Sequence, residues 1–421
     1  MTTAIPTTSA PVSKWWICGL LFLATTLNYM DRMALNQTSP LIMEEFKLSK
    51  QDYGWLEGGF TFAFAIGAIV VGAVADRVNV WWIYPLIVIG WSGFGFATGF
   101  VTGYWMLFAC RFGLGLFEAG NWPCGIRTTR LILKPEERSL GNALFQSGTA
   151  IGAIITPLIV LGCLAWAAAN GVESAWRIPF RFIGLIGLLW VVLWFCIVPR
   201  DRLRVPEKKV DDTSDSEPFS RVLKDRRFWV LVLVIIGVNT PWHTFRVWMP
   251  LLLTDQHKYS KDFMMIFSSV YYLAADMGSI SVGIVSLLLV RRGFTVHISR
   301  MIVFGVCAGM AMLTFAVAFM PTGYALLGLL LLLAFGSLGL FPTYFALSQE
   351  ISAKHQGKVT GVLGSINALY LTALIPLQGK IIDETNSYGL GLGFSGLMPV
   401  LAFIAMAIWW REPASRSEPR A

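Results

Sequence analysis

Twelve apolar stretches follow one another along this chain, each long enough to cross a bilayer as an α-helix. Apolar residues make up 55% of the chain and charged residues 14%, whereas a soluble domain has about a quarter charged. A bilayer offers no water to exposed backbone groups, so the pattern predicts an all-α membrane protein. The predicted spans are 15–38, 54–75, 81–101, 104–126, 140–168, 178–198, 227–252, 264–290, 298–320, 323–349, 358–379 and 389–410.

One long polar segment divides these spans into two sets of six. It is dense in Arg, Lys, Asp, Glu, Ser and Pro, which is typical of a solvated linker. Two halves with a binding site at mid-depth between them are typical of secondary transporters. We therefore predict two pseudo-symmetric six-helix bundles, arranged as a cytoplasmic N-terminal tail at 1–14, a first bundle at 15–198, a cytoplasmic linker at 199–226, a second bundle at 227–411 and a cytoplasmic tail at 412–421.

The net charge of +8 follows the predicted topology. Most of the 33 lysines and arginines fall on one side of the bilayer when both termini are placed in the cytoplasm. This distribution indicates a multi-pass plasma membrane protein, of the bacterial inner-membrane type, and gives no sign of a nucleic-acid partner. The six cysteines lie in predicted helices without disulfide or metal-ligand spacing, so neither a metal nor a cofactor is expected. We expect a monomer.

Three arginines, Arg32, Arg111 and Arg246, lie inside the apolar stretches. A charge at mid-bilayer costs at least ~2.5–3.5 kcal/mol, so such residues normally face a wet cavity that carries an ion or substrate. A guanidinium group stays charged and forks onto a carboxylate, which predicts a site for an organic anion. Tyr29 precedes Arg32 by three residues and Trp242 precedes Arg246 by four, so both aromatic rings are expected at the same site.

Three carboxylates, Asp31, Glu57 and Glu118, lie in the same group of spans and balance the arginines. Protonation of one or two of them would free guanidinium groups, so proton binding and anion binding would strengthen each other. This reciprocity predicts proton coupling by these residues. The alternatives are that the carboxylates only pair helices structurally, and that Glu57 is an interfacial carboxylate at the membrane surface.

Other polar residues in the spans are weaker candidates. Gln146 and Asn367 are expected either to contact substrate hydroxyls or to form hydrogen bonds between helices. Asp276, in the middle of span 8, is expected to face the cavity. It is assigned to gating together with Asp76 and Arg77 at the end of span 2.

Glycines inside the spans predict close contacts between helices, because small residues let two backbones approach. Gly113, Gly115 and Gly120 on span 4 are expected to pack in this way. So are Gly148 and Gly152 on span 5, which are four residues apart and lie on one helix face.

Several motifs around these residues are similar to those of a known family. They are RFGLGLFEAG beginning at Arg111, SGTAIG beginning at Ser147, LAADMG beginning at Leu273 and RRG beginning at Arg291. From about residue 15 to 411 the chain resembles the major facilitator superfamily and, within it, the anion:cation symporter family. That family includes hexuronate and galactonate transporters, sialin and the vesicular glutamate transporters.

The resemblance implies roles for individual residues. Arg32 and Arg111 match arginines that hold the substrate carboxylate in the family. Asp31 and Glu118 match carboxylates implicated in proton coupling. Arg246 lies where the vesicular glutamate transporters have an arginine.

The sequence thus predicts import of a sugar acid, of the hexuronate or aldonate class, coupled to protons by alternating access. The alternatives are a proton-independent anion exchanger or uniporter, a symporter of another carboxylate, and a sensor that binds without transporting. An enzyme is not expected, since no nucleophile elbow or metal-ligand spacing is present and the chain has only 4 histidines.

Overall fold

The computed structural model describes residues 13–75, 78–134, 137–203, 219–351 and 356–410. Throughout these ranges the chain folds into helices joined by short connections. The fourth span of the first half consists of two helices in series, α4 and α5. The first half contains α1 (Lys14–Phe46), α2 (Lys50–Ala75), α3 (Val80–Thr98), α4 (Tyr104–Glu118), α5 (Asn121–Ile132), α6 (Arg138–Ala169) and α7 (Arg177–Ile197).

The second half begins after a short helix, α8 (Ser220–Lys224), and its first span ends in a π-helical turn, Leu252–Gln256. Three of its spans are interrupted: the third by Leu313, the fourth by Leu340 and the sixth by a 3₁₀ turn. Its helices are α9 (Arg226–Leu251), α10 (Lys261–Arg291), α11 (Val296–Met312), α12 (Thr314–Val317), α13 (Tyr324–Gly339), α14 (Phe341–Ile351), α15 (Gln356–Thr385), α16 (Tyr388–Gly393) and α17 (Leu397–Trp409). The twelve predicted spans are confirmed as six in each half.

Ten helical stretches within the described ranges are long and apolar enough to cross a membrane. The two remaining spans are α1 and the α4–α5 pair. These two carry Asp31, Arg32, Arg111 and Glu118 within their lengths. The intramembrane charges are therefore concentrated where the apolar character of the spans is weakest.

Helix α1 continues to Phe46, beyond the predicted end at residue 38, and passes through Pro40 without breaking. Proline has no backbone N–H, so it leaves the carbonyl of Asn36, four residues earlier, without its helical donor. The hydroxyl of Ser39 donates to this carbonyl at 2.8 Å. A local side chain thus replaces the missing bond, as is common for proline in membrane helices.

The predicted glycine contacts are confirmed. A Cβ atom on Gly115 would lie 2.3 Å from the Phe60 carbonyl oxygen, and one on Gly148 would lie 2.5 Å from the Phe22 carbonyl oxygen. Helix α4 therefore lies directly on α2, and α6 lies directly on α1. These contacts fix the distances between the charged side chains that the helices carry.

The two halves meet along α2 and α15, and also along α6 and α10. At the end of the molecule where α1 ends and α2 begins, the backbones nearly touch. A Cβ atom on Gly54 of α2 would lie 2.8 Å from Pro376 Cα of α15. An ion pair between Lys261 and Glu44, 3.0 Å long, joins the halves nearby. We call this the closed end.

At its other end, helix α15 has space beside it. Gly361 and Gly364, near the start of α15, have no neighbouring atom within 4 Å of a Cβ position, whereas Gly379 near its end would contact the Lys50 backbone at 2.4 Å. Contact between α15 and the first half is thus tight at the closed end, whereas no atom of the described residues lies against the Cβ positions of these two glycines.

Candidate anion-binding site

The centre of the site is Glu57 on α2, whose two carboxylate oxygens bind different arginines. Oε1 accepts a hydrogen bond from Nη2 of Arg111 at 2.7 Å, and Oε2 accepts one from Nη2 of Arg246 at 3.1 Å. The carboxylate is fully buried, and each arginine side chain is 2% exposed. Since Arg111 lies on α4 and Arg246 on α9, this single carboxylate joins the two halves.

The surface alternative for Glu57 is wrong, because its side chain has no exposed area. Helix packing accounts for this. Gly58, the next residue, faces the Thr372 carbonyl of α15, and a Cβ atom there would lie 2.9 Å from that oxygen. This carbonyl has lost its helical donor to Pro376. The α2–α15 contact thus lies directly beside Glu57, whose own side chain is enclosed by Asn36 of α1, Arg111 of α4 and Arg246 of α9.

Asn36 of α1 holds the same carboxylate in place. Its Nδ2 donates to the Tyr53 hydroxyl at 2.8 Å and to Glu57 Oε1 at 3.3 Å, while its Oδ1 accepts from Nη1 of Arg246 at 3.3 Å. Asn36 and Tyr53 are not among the site residues predicted from the sequence. Spacing gives the missing signal: Asn36 follows Arg32 by four residues and Tyr53 precedes Glu57 by four, so each shares a helix face with a charged residue.

The third arginine, Arg32, binds Glu118 at the end of α4. Its Nη2 and Nε donate to the same oxygen, Oε2, at 2.8 and 3.2 Å. The other oxygen of Glu118 has no hydrogen-bond partner among the described residues. Arg32 is 13% exposed, in contrast with Arg111 and Arg246, so it is the most accessible arginine of this group.

The ring of Phe60 connects the arginines. Its centroid lies 5.0 Å from Cζ of Arg32 and 4.6 Å from Cζ of Arg111, so both guanidinium groups pack against it. Arg111 in turn shares Glu57 with Arg246. The three arginines predicted from the sequence therefore converge on one cluster between the halves.

The pairing of charges differs from what helix spacing suggests. Arg111 and Glu118 lie on one face of α4, but Arg111 binds Glu57 and Glu118 binds Arg32. Asp31 is buried, and neither of its oxygens has a hydrogen-bond partner among the described residues. It faces α3, where a Cβ atom on Gly95 would lie 2.6 Å from its Oδ1.

Of the two aromatic candidates, Tyr29 lies beside an arginine and Trp242 packs against another aromatic ring. The Tyr29 ring centroid is 5.4 Å from Cζ of Arg32. Trp242 is buried and packs edge-on against Tyr272 of α10, with centroids 6.0 Å apart. The hydroxyl of Tyr272 is buried and has no hydrogen-bond partner among the described residues. Tyr272 was missed in the sequence because a tyrosine in a span is common and carries no charge.

The remaining candidates are more dispersed. Gln146 on α6 is exposed. Asn367 on α15 is half-buried, and its side-chain oxygen has no hydrogen-bond partner within the described ranges. Asp276 is half-buried on α10. Asp76 and Arg77 lie outside the described residues. Among the residues that the structure describes, no group of histidine, cysteine, aspartate or glutamate side chains is arranged to hold a metal ion.

Comparison with known proteins places this geometry among transporters. A family model described as Major Facilitator Superfamily matches residues 21–376. The chain is 25% identical over 415 residues to a hexuronate transporter of Escherichia coli (strain K12), covering 94% of this chain and 93% of that protein. It is also 25% identical over 421 residues to a probable L-galactonate transporter of the same strain, with 95% and 90% covered.

The fold is similar to that of a solved bacterial homologue of the human lysosomal transporter Spinster, in an inward-facing and unoccupied conformation. The TM-score is 0.80 at 19% identity, and the alignment covers 96% of this chain and all of that one. At this identity the likeness concerns the fold alone.

Proposed function

This chain belongs to the Major Facilitator Superfamily, and we propose that it imports a sugar acid of the hexuronate or aldonate class together with protons. The observation that carries the proposal is the convergence of Arg32, Arg111 and Arg246 on one buried cluster between the halves. Relatives named as hexuronate and L-galactonate transporters cover nearly the whole chain and support the substrate class.

In the proposed mechanism, Arg32 binds the substrate carboxylate. It is the exposed member of the cluster, and Glu118 holds it while no substrate is bound. When Glu118 is protonated, its ion pair with Arg32 weakens. The guanidinium group of Arg32 is then available to bind the carboxylate of the incoming acid. By linkage, bound acid then favours the protonated state of Glu118, which couples the two fluxes.

Asp31 is proposed as a second proton carrier, because it is buried beside this cluster without a hydrogen-bond partner among the described residues. Arg111 and Arg246 supply positive potential behind Arg32 while Glu57 holds them. Tyr29, Trp242, Gln146 and Asn367 are proposed to contact the sugar ring and its hydroxyl groups.

We propose further that the two six-helix bundles, at 15–198 and 227–411, rock against each other to give alternating access. The closed end would face the periplasm of a bacterial inner membrane, with both termini in the cytoplasm. The distribution of lysine and arginine supports this orientation. Gly361 and Gly364 then lie beside the route toward the cytoplasm. We propose that the transporter acts as a monomer.

Purified protein in proteoliposomes tests the function. Labelled D-glucuronate should exchange in counterflow, an acid-outside gradient should drive its accumulation, and neutral D-glucose should not compete. Counterflow that an imposed gradient leaves unchanged would instead establish a proton-independent exchanger or uniporter. Competition by glucose as strong as by the acids would overturn the assignment of an anion site.

A further inference from the structure

We propose that Glu57 restricts the substrate to acids with one carboxylate by occupying Arg111 and Arg246 itself. This inference rests on the proposed function and refines its substrate class. Each oxygen of Glu57 binds a different arginine, at 2.7 and 3.1 Å. The protein thus carries, between two of the three arginines of this cluster, the group that a second substrate carboxylate would provide.

The position of Glu57 is held from several sides. The amide of Asn36 donates to it and accepts from Arg246. The next residue, Gly58, lies against the Thr372 carbonyl of α15, so α2 has no room to move toward that helix. While the closed end is closed, a ligand carboxylate would therefore have to displace a buried, multiply bonded group to reach Arg111 or Arg246. Such displacement leaves the Glu57 charge without partners, which is strongly unfavourable in a buried site.

The exposed fractions of the three arginine side chains also favour a substrate with one carboxylate. The Arg32 side chain is 13% exposed, whereas those of Arg111 and Arg246 are each 2% exposed. One accessible guanidinium group matches one carboxylate. An acid with carboxylates at both ends would bind Arg32 with one of them. Its other carboxylate would enter the cluster without a positively charged partner.

The charges of the arginine cluster predict the effect of substituting Glu57. With Glu57 ionised, Arg111 and Arg246 retain one net positive charge. Their donors without a partner among the described residues, Nε and Nη1 of Arg111 and Nε of Arg246, are buried. The variant Glu57→Gln removes a negative charge while keeping the side-chain size, so it leaves both guanidinium groups available to a second carboxylate. The variant Glu57→Asp keeps the charge and should keep the preference of the native protein.

The test compares D-gluconate with D-glucarate, which differ in a second carboxylate at the far end of the same carbon chain. Competition against labelled D-glucuronate is measured in proteoliposomes with native protein, Glu57→Gln and Glu57→Asp. A matched control is Glu44→Gln, which removes an exposed carboxylate at the closed end. Thermal unfolding of each purified variant reports whether it is folded.

For the native protein, Glu57→Asp and Glu44→Gln, we expect gluconate to compete at least about tenfold better than glucarate. For Glu57→Gln, we expect the ratio to fall several-fold or to reverse. Equal competition by the two acids in the native protein would overturn this inference while leaving sugar acid transport intact. An unchanged ratio in folded Glu57→Gln would also overturn it, and absence of competition by any acid would refute the proposed function itself.

Discussion

The carboxylate of Asp383, near the end of α15, accepts the backbone N–H of Lys50 at the start of α2, at 3.1 Å. Its second oxygen accepts the N–H of Gln51 at 2.8 Å. The first backbone N–H groups of a helix have no partner within the helix and carry its positive dipole end. A side chain of the second half therefore caps a helix of the first half, and this cap forms only while the closed end is closed.

The substitution Asp383→Ala is expected to destabilise the closed end. Loss of a helix cap costs about 0.5–2 kcal/mol, and here the whole cost falls on the conformation in which the halves touch. Spin labels at Lys47 and Lys258, on opposite halves, should show a larger share of long distances. The control Asp52→Ala removes a cap within the first half, to the Ser49 N–H. It should leave the distance distribution unchanged; an equal shift in both variants would contradict the prediction.

The substitution Gly54→Ala should act on the same interface by steric means. Its Cβ atom would lie 2.8 Å from Pro376 Cα and 3.0 Å from the Ile375 carbonyl oxygen, and neither backbone atom can rotate away. We expect a cost of about 1–3 kcal/mol, typical of overpacking, measured as a lower midpoint of thermal unfolding. Gly361→Ala, which meets no atom within 4 Å, should change the midpoint little. Equal midpoints for the two variants would show that α2 and α15 separate freely.

The substitution Glu118→Gln should make sugar acid binding less dependent on pH. The neutral amide imitates the protonated carboxyl group, so Arg32 would be free at every pH. We expect native protein to bind D-glucuronate more weakly as pH rises. For Glu118→Gln we expect a shallower pH dependence, of which the remaining part comes from Asp31. The control Glu45→Gln removes a carboxylate that binds Trp176 and Arg177 at the closed end. A native pH profile in Glu118→Gln would exclude this residue from coupling.

The substitution Arg32→Lys should weaken substrate binding although it keeps the positive charge. Lysine cannot form a fork of two parallel hydrogen bonds to a carboxylate. One lost hydrogen bond to a charged group costs about 1.5–3 kcal/mol, so the dissociation constant should rise at least about tenfold. Arg181→Lys is a matched control, because that arginine also packs against an aromatic ring but donates to the Gly99 carbonyl. Binding of D-glucuronate by both variants provides the measurement.

Much of the fold could be predicted from the sequence, because the bilayer restricts the choice so strongly. The length of the apolar stretches predicted the membrane spans. The energetic cost of intramembrane charge predicted that Arg32, Arg111 and Arg246 would meet in one place. Glycine contacts followed from the same reasoning, since only small residues allow two membrane helices to approach so closely.

The pairing of the charges could not be predicted in this way. Spacing along α4 places Arg111 and Glu118 on one face, but their partners lie on α2 and α1. Partner choice depends on the rotation and offset of neighbouring helices, which arise from contacts such as that of Gly115 with the Phe60 carbonyl. For an uncharged residue such as Asn36 the sequence offers only its spacing of four residues from Arg32, and its role becomes evident only through these contacts.

The cap between Asp383 and α2 is chemically one-sided. Its acceptor is a side chain, which one codon change removes, but its donors are main-chain amides that every amino acid except proline supplies at positions 50 and 51. A random mutagenesis screen for carriers that leak through this gate should therefore recover many replacements of Asp383. At the two donor positions it should recover chiefly proline. Almost all mutations that disrupt this contact would therefore lie in the second half of the molecule.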